Sequence, residues 1–329
     1  MKVKVWGARG SIPAPITPDH LRAQIREVLI DFSRRPHADG NDPEGFMASQ
    51  PGLGGFGGNT LCVEVSAGPR RIIIDGGSGL RLLGYELMAG PCGKGQGEVH
   101  LLMTHFHWDH LIGLPFFIPI FVPGNVIHVY AVQPDLENVF KTLFQKPFFP
   151  VPLEKLGAEI VYHTLEPRKA IEIQGFSVVP YQLDHPDPCW GYRIHDRNPD
   201  SKEPGKVYSH CVDTECTRVS RTELGEDLPL YQGVDLMLFD AQYTLTETIE
   251  KVDWGHAAAS LGLDIAIREG IKRVWFVHHD PASNDQKIFS AESQARRYYD
   301  SQVKSARRSG ITIPTVEWSF ACEGETLEL

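Results

Sequence analysis

The chain has 329 residues, a formal charge of −10 and 42% hydrophobic residues. This length and composition are typical of a folded globular protein with a sizeable core, and they exclude a disordered chain and a disulfide-stapled miniature. The excess of acidic over basic residues, 42 against 32, argues against sequence-independent binding of nucleic acid, which requires a lysine- and arginine-rich face.

The first pattern along the chain is a strand at residues 2–6, without the apolar core of a signal peptide. No window approaches the ~18 uninterrupted apolar residues that a membrane span requires. The six cysteines form no CxxC pair and no disulfide-framework spacing, which favours reduced thiols in a cytoplasmic protein. We therefore expect neither export nor membrane insertion.

Short runs rich in Val, Ile or aromatic residues predict strands at intervals along the chain. They cover residues 2–6, 61–66, 71–75, 99–104, 127–131, 159–163, 176–181, 191–195, 207–211, 236–240 and 274–278. Apolar residues at helical spacing predict helices at 21–32, 135–144, 257–269 and 291–307. Since sheets need helices to cover their outer faces, the pattern favours an α+β sheet sandwich flanked by helices.

Residues 14–58 differ from the rest of the chain. A helical stretch is followed by a polar region with three prolines and by a glycine-rich run at 52–58. This composition predicts an insertion or lid within a single domain. The run is not a P-loop, because no Lys-Ser/Thr pair follows it. It is either a substrate-facing loop or a flexible connection.

The strongest signal follows the strand predicted at 99–104, in the sequence His105-Phe106-His107-Trp108-Asp109-His110. His105 and His107 point to the same side of an extended chain, because side chains alternate, and can bind one ion. Asp109 and His110 turn to neighbouring directions where the chain tightens and can bind a second ion. Such a density of ligand side chains predicts a metal site.

Further ligand candidates lie at the ends of other predicted strands. His185 follows the strand at 176–181, Asp213 follows the strand at 207–211, and His278 ends the strand at 274–278. A dinuclear site needs such ligands, one of them preferably a carboxylate that bridges both ions. Only one of His278 and His279 is expected to reach the ions, because adjacent strand residues face opposite ways.

The ordered set of Asp75, the motif His105-x-His107-x-Asp109-His110, His185, Asp213 and His278 resembles the metallo-β-lactamase fold superfamily. It is most similar to the phosphodiesterase branch, which includes tRNase Z and the cyclic-phosphate and cyclic-nucleotide phosphodiesterases. The resemblance implies a four-layer αββα sandwich with the metals at one edge of the two sheets.

The resemblance also implies a distribution of the ligands. One ion would be bound by His105, His107 and His185, and the other by Asp109, His110 and His278, with Asp213 bridging. Asp75 would orient a ligand or hold the loop that carries the motif. His278 is preferred as the last ligand, and His279 would support the ligands or contact substrate.

A further pair resembles the same branch. Asp240 ends a predicted strand, and His256 follows in the sequence Trp254-Gly255-His256-Ala257. The tRNase Z pattern has a glutamate at the acidic position and a hydroxyl residue after the histidine, so the chain departs from it. The resemblance implies catalytic roles for Asp109, Asp240 and His256, with His256 held by Asp240 as the proton donor to the leaving oxygen. The alternative is that His256 merely begins a helix.

Together these residues predict a metal-dependent hydrolase with two divalent ions. Histidine and carboxylate ligands favour Zn²⁺, with Mn²⁺ or Fe²⁺ as alternatives. The resemblance implies phosphodiester hydrolysis by a hydroxide that the two metals activate. The absence of a basic arm between the motif and His185, together with the negative charge, favours a small phosphodiester such as a cyclic nucleotide over RNA.

Other functions remain open. The same metals could serve a hydrolase of thioesters, lactones or lactams, or an RNA-processing endonuclease of the tRNase Z type. A non-enzymatic nucleotide binder is less favoured, because the full ligand set is present. A homodimer is expected from the resemblance alone.

Overall fold

The computed structural model describes residues 1–34, 42–49, 54–197 and 205–329. These residues form two seven-stranded sheets. The strands are β1 (Lys2–Gly7), β2 (Cys62–Ala67), β3 (Arg70–Ile74), β4 (Glu98–Leu102), β5 (Val126–Ala131), β6 (Glu159–Thr164), β7 (Ile171–Ile173), β8 (Phe176–Gln182), β9 (Trp190–Asp196), β10 (Val207–Cys211), β11 (Leu236–Asp240), β12 (Arg273–Val277), β13 (Glu317–Phe320) and β14 (Thr326–Glu328).

Both sheets have the same layout. The first has the order β14-β1-β2-β3-β4-β5-β6 and the second β13-β12-β11-β10-β9-β8-β7. Pairing is antiparallel from β14 to β3 and parallel from β3 to β6. In the second sheet it is antiparallel from β7 to β10 and parallel from β10 to β13. Because parallel neighbours end at the same edge of a sheet, the residues that follow these strands are brought together.

The helices cover the outer faces and the loops. They are α1 (Pro18–Ser33), α2 (Pro43–Ala48), α3 (Leu80–Met88), α4 (Trp108–Leu111), α5 (Leu136–Leu143), α6 (Arg221–Leu224), α7 (Leu245–Glu250), α8 (Ala259–Glu269) and α9 (Asp285–Arg308). The Asn284 side chain accepts a hydrogen bond from Lys287 N and so caps α9. Helix α8 ends at Gly270, whose φ of 71° suits a residue without a side chain.

Three apolar layers hold the four structural layers together. Between the sheets, side chains such as Val65, Ile72 and Leu238 are buried against each other. The outer face of the first sheet packs on α3 and α5, and the outer face of the second packs on α8 and α9. This arrangement confirms the αββα sandwich, because each sheet buries one face on its partner and the other on helices.

The elements missed by sequence patterns are short or lack clear periodicity. Strands β7, β13 and β14 have only three or four residues each. Helix α3 contains a glycine, Gly84, in its buried stripe, which weakens the helical pattern. Helix α9 begins six residues before the predicted start, because its first turns contribute few apolar residues beyond the buried Ile288.

Within the insertion predicted at 14–58, the helix predicted at 21–32 is present as α1, which has no buried residue. Residues 52 and 53 of the glycine-rich run lie outside the described residues, and so does the middle of the polar region. Glu323 Oε2 accepts hydrogen bonds at 3.0 Å from the backbone N–H groups of Gly58 and Asn59. These bonds connect the C-terminal end of the glycine-rich run to the loop between β13 and β14. The lid itself stays a prediction.

Two further predictions concern what the chain lacks. In the part of the chain that the structure describes, no helix has both the length and the apolar character needed to cross a membrane. The six cysteines all lie in that part and are unpaired thiols, as their spacing predicts. Five of them are buried and pack in the core.

Candidate metal centre

Histidine and aspartate side chains of the kind that bind metals lie close together where strands of both sheets end. After β4 the chain stays extended through His107 and then enters the short helix α4, which carries Asp109 and His110. The second sheet contributes Asp213 after β10 and His278 after β12. His185 follows β8 in the same region. The structure thus brings together all seven predicted ligands.

Three of the strand-end residues have left-handed backbone conformations. The φ angles are 62° at Asp75, 62° at Asp213 and 65° at His278. Asp, Asn and His are enriched among the few non-glycine residues found there, and such conformations persist only where the surrounding structure enforces them. The chain therefore turns abruptly at these three positions, directly after the strands.

The first ligand group consists of three imidazoles. The ring centroids of His105 and His107 are 4.4 Å apart, and each lies 4.9 Å from that of His185. One nitrogen from each ring lies within 4.8 Å of the others. The three rings are therefore close enough together to bind one ion, which is the grouping that the resemblance implies.

The second group lies beside the first and combines carboxylates with imidazoles. Asp109 Oδ2 is 3.3 Å from His110 Nε2 and 3.2 Å from His278 Nε2. Asp213 Oδ2 is 2.8 Å from His110 Nε2, and Asp213 Oδ1 is 3.3 Å from His278 Nε2. Asp213 also forms a tight cluster with His105 of the first group. Its carboxylate is thus in reach of both groups, as a bridging ligand requires.

Unsatisfied buried atoms show that the residues fit divalent cations. His105 Nε2, His110 Nε2 and Asp213 Oδ2 are buried without a hydrogen-bond partner among the described residues. His110 Nε2 and Asp213 Oδ2 are 2.8 Å apart, yet their orientation forms no hydrogen bond. Because an unpaired buried polar group is costly, ligand atoms that converge in this way indicate a site for a cation.

The outward-facing ring nitrogens of the ligands have fixed partners. His110 Nδ1 donates to Asp75 Oδ2 at 2.8 Å, and His107 Nε2 donates to Asp187 Oδ2 at 2.9 Å. Asp75 also accepts hydrogen bonds from the backbone N–H and the hydroxyl of Thr104. Partners of this kind fix the tautomer and orientation of a metal-binding imidazole. The predicted role of Asp75 agrees with this geometry.

The electrostatics of the site are determined by opposite charges that are buried close together. Burial alone would lower the pKa of His110, but Asp109, Asp213 and Asp75 outweigh it and raise that pKa well above its usual value. Burial would raise the pKa of Asp213, yet His278 and His110 hold it well below the ordinary range. The carboxylates therefore stay ionised, which is the form that binds a cation.

Asp240 and His256 lie next to this cluster. His256 Nδ1 donates to Asp240 Oδ2 at 2.9 Å, and its ring centroid is 4.9 Å from that of His278. Asp240 is fully buried and also accepts from the backbone N–H groups of Gln242 and Ala257. Among the described residues, no protein group hydrogen-bonds to His256 Nε2. His256 is thus oriented by Asp240 and keeps one ring nitrogen available.

His279 does not have the predicted surroundings. Its ring N–H donates to the Ala321 carbonyl at 2.9 Å, and its ring stacks on Phe320. Adjacent residues face opposite ways, so this side chain packs in the core beside the site. The prediction that the His279 side chain supports the ligands or contacts substrate is wrong. Its backbone N–H binds Ala8 O and its carbonyl accepts from Gly10 N, which holds the loop after β1 in place.

That loop is the part of the site that the sequence patterns missed. The backbone N–H of Ser11 donates to Asp109 Oδ2 at 2.8 Å. A Cβ built on Gly10 would be 2.4 Å from His278 Nδ1 and 2.4 Å from Gln242 Oε1, so only glycine fits there. The signal available in the sequence was the Gly10-Ser11 pair directly after a strand. Asp187, two residues after His185, was also missed.

Comparisons with known proteins agree with this geometry. Residues 70–279 match the family model described as "Beta-lactamase superfamily domain". The ribonuclease Z of Bacteroides thetaiotaomicron is 21% identical over 243 residues, which cover 60% of this chain and 73% of that protein. The structure is similar to unliganded yeast PDE1, with a TM-score of 0.63, 14% identity, and coverage of 100% of this chain and 99% of that one.

A second solved structure is the short form of human tRNase Z, with a TM-score of 0.57, 14% identity, and coverage of 100% of this chain and 99% of that one. At these identities the structural similarity establishes the fold alone. The family match covers the strand-end residues from Asp75 to His278. The chain therefore belongs to the β-lactamase superfamily and has the metallo-β-lactamase fold.

Proposed function

We propose that the protein is a metal-dependent phosphodiesterase that acts on a small phosphodiester such as a cyclic nucleotide. The observation that carries the proposal is the pairing of His256 with Asp240 directly beside the ligand cluster. Cleavage of a phosphodiester expels an oxygen that needs a proton, and a histidine held by a carboxylate can supply it. His256 Nε2 has no protein hydrogen-bond partner among the described residues, so it is available to carry that proton.

The metal ions would be held by His105, His107 and His185 on one side and by Asp109, His110 and His278 on the other, with Asp213 between them. When bound, two divalent ions lower the pKa of a coordinated water and neutralise charge on the phosphoryl oxygens. The nitrogen and oxygen ligand set favours Zn²⁺ and also suits Mn²⁺ or Fe²⁺.

Two exposed aromatic side chains support a nucleotide substrate. Trp108 and Trp254 are 61% and 63% exposed, and they adjoin Asp109 and His256 closely in the chain. Large exposed indoles are unusual on a protein surface and provide faces on which a base can stack. Lys251 lies over the Tyr243 ring at 4.1 Å and 5.7 Å from the ring of Trp254, and its ammonium is 3.7 Å from Asp280 Oδ2.

Charge favours a small substrate over RNA. Residues 111–184, which separate the motif from His185, contain five basic and seven acidic residues, and the whole chain carries −10. Binding of a long polyanion depends on lysine and arginine contacts to many phosphates. A single phosphodiester needs only the metals and a few polar groups. RNA processing remains a second candidate, because curated relatives of the chain are ribonucleases Z.

A panel of substrates tests the proposal. Purified protein supplied with Zn²⁺ or Mn²⁺ is assayed on bis(p-nitrophenyl) phosphate, 2′,3′- and 3′,5′-cyclic nucleotides, precursor tRNA, a thioester, a lactone and a β-lactam. We expect turnover of bis(p-nitrophenyl) phosphate and of at least one cyclic nucleotide. Cleavage of precursor tRNA far above these would favour the second candidate. Turnover of the thioester, lactone or lactam alone would refute phosphodiester hydrolysis.

The variant Asp213→Ala is the matched control for metal dependence. It removes the carboxylate within reach of both ligand groups and is expected to abolish metal binding and activity together. Tight nucleotide binding that survives in this variant, without turnover in the parent protein, would point to a binding protein instead.

A further inference from the structure

A second group of ligand-type side chains lies away from the site described above, toward the amino ends of β4 and β5. Glu98 and His100 are on β4, and His128 on β5 is paired in register with His100. One ligand atom from each of the three lies within 4.8 Å of the others. His100 precedes His105 by five residues, which corresponds to about 16 Å of extended chain. The two groups are therefore separate sites.

The distances in this group match those between ligands of one ion. Glu98 Oε1 is 3.1 Å from His100 Nε2 and 3.3 Å from His128 Nε2. Two ligands of a tetrahedral zinc ion, each about 2.0–2.1 Å from the metal, are about 3.3 Å apart. Glu98 Oε1 is thus at a ligand–ligand distance from both ring nitrogens.

The far nitrogens of both rings already have partners. His100 Nδ1 is hydrogen-bonded to the Tyr130 hydroxyl at 3.0 Å, and His128 Nδ1 to His163 Nε2 at 3.0 Å. The two rings are stacked with centroids 4.8 Å apart and planes 6° from parallel. With the ring protons on Nδ1, Nε2 of both rings is unprotonated, and both Nε2 atoms lie close to Glu98 Oε1. Metal-binding histidines have outer partners of this type.

Gln174 brings the hairpin of the second sheet into the group. It lies in the two-residue turn between β7 and β8, where Gln174 and Gly175 have φ angles of 50° and 74°. Its side-chain amide nitrogen is 2.8 Å from His100 Nε2 and donates to it. His100 Nε2 then has no proton for Glu98 Oε1, so two hydrogen-bond acceptors lie only 3.1 Å apart. A cation between them turns this repulsion into ligation.

We propose that Glu98, His100 and His128 bind one divalent metal ion of the zinc type. A half-turn of the Gln174 amide would place its oxygen as the fourth ligand, since the two ends of an amide group are nearly equal in size. An ion bound there connects β4 and β5 of the first sheet to the β7–β8 hairpin of the second. It is a structural site, separate from the proposed phosphodiesterase chemistry.

The group is open enough for an ion to enter. The Glu98 side chain is 55% exposed, while that of His100 is 8% exposed. A surface pocket of about 350 Å³ is lined in part by Glu98 and His100. The exposed Glu98 carboxylate and the partly exposed His128 ring thus lie between solvent and the buried His100 ring.

Zinc stoichiometry tests the proposal. The parent protein and the double variant Glu98→Gln/His128→Gln are stripped with a chelator, equilibrated with low-micromolar Zn²⁺ and analysed for bound zinc. We expect the double variant to bind one ion per chain fewer than the parent and to keep its activity on bis(p-nitrophenyl) phosphate. The matched control is His195→Gln, which replaces a strand histidine of the second sheet and should bind as much zinc as the parent.

Anomalous diffraction at the zinc edge locates the ions. A peak between Glu98, His100 and His128 in the parent, absent from the double variant, supports the proposal. Equal zinc contents in parent and double variant, or a parent map without a peak there, would overturn it and leave a hydrogen-bonded network. Because peaks at the two sites are separate, a missing peak at this site can be distinguished from a failure of the candidate metal centre.

Discussion

Replacement of His256 by alanine tests the proposed chemistry most directly. The ring that is removed donates to Asp240 at 2.9 Å and lies beside the ligand His278. Asp240 keeps hydrogen bonds from three backbone N–H groups, those of Asp213, Gln242 and Ala257, so the strand end retains its conformation. The change thus removes a proton donor while leaving the seven predicted ligands in place.

The expected magnitude depends on the leaving group. A positioned general acid contributes about 10²–10⁴-fold, which equals about 2.7–5.4 kcal/mol of activation free energy. A ribose oxygen is a poor leaving group and needs the proton, whereas p-nitrophenolate leaves as a stable anion. We therefore expect kcat to fall about 10²–10⁴-fold on a cyclic nucleotide and less than about tenfold on bis(p-nitrophenyl) phosphate.

The assay compares kcat of His256→Ala and the parent on both substrates, with metal content measured on the same samples. His195→Gln serves as the control for replacement of a histidine elsewhere. Equal losses on the two substrates at unchanged metal content would refute the role of proton donor. A loss of bound metal would instead make His256 a ligand, a possibility that its position near Asp213 and His278 allows.

Three other substitutions give independent tests. Asp75→Asn replaces the carboxylate that accepts the His110 ring N–H by a neutral amide and should weaken zinc affinity about 10–100-fold in a competition titration with a chelator; unchanged affinity would contradict the orienting role. Gly10→Ala should lower kcat about 10²-fold, because its Cβ would displace the His278 ring. The control is Gly90→Ala, which should leave kcat unchanged because its Cβ would meet nothing closer than 3.6 Å. Equal losses of kcat in Gly10→Ala and Gly90→Ala would contradict the steric argument. Asp227→Asn should lower the free energy of unfolding by about 3 kcal/mol at pH 7, because the buried Asp227 carboxylate binds two arginines. Burial would raise the pKa of Asp227, but the arginine hydrogen bonds hold it below its ordinary value of 3.8, so its contribution is present above about pH 4 and lost as pH falls further. Urea denaturation should therefore show a smaller difference at pH 3 than at pH 7, and a constant difference would contradict the assignment.

The ligand set could be predicted from the sequence because most of its information is local. Strand alternation places His105 and His107 on one side, and the short helix after them places Asp109 and His110. The positions of Asp213 and His278 at strand ends could also be predicted from the sequence, and the order of the ligands along the chain matches the family pattern. These features depend on neighbouring residues and on the period of a strand.

The remaining parts depend on contacts between distant segments. Asp187 binds His107 and Ser11 binds Asp109 only because loops from different strands meet in space. The group of Glu98, His100 and His128 depends on the register between β4 and β5, which a single sequence does not specify. His279 was misassigned because its alternation with His278 turns it toward Phe320 and away from the ions.

The left-handed conformations of Asp75, Asp213 and His278 restrict how these positions can change during evolution. A β-branched residue there would strain the backbone by about 1–3 kcal/mol, whatever its side chain contacts. Glycine would remove the strain and the ligand or ligand support together. At these three positions conformational relaxation and metal binding are therefore opposed, and a descendant that no longer used its metals would be expected to accumulate glycine or asparagine there.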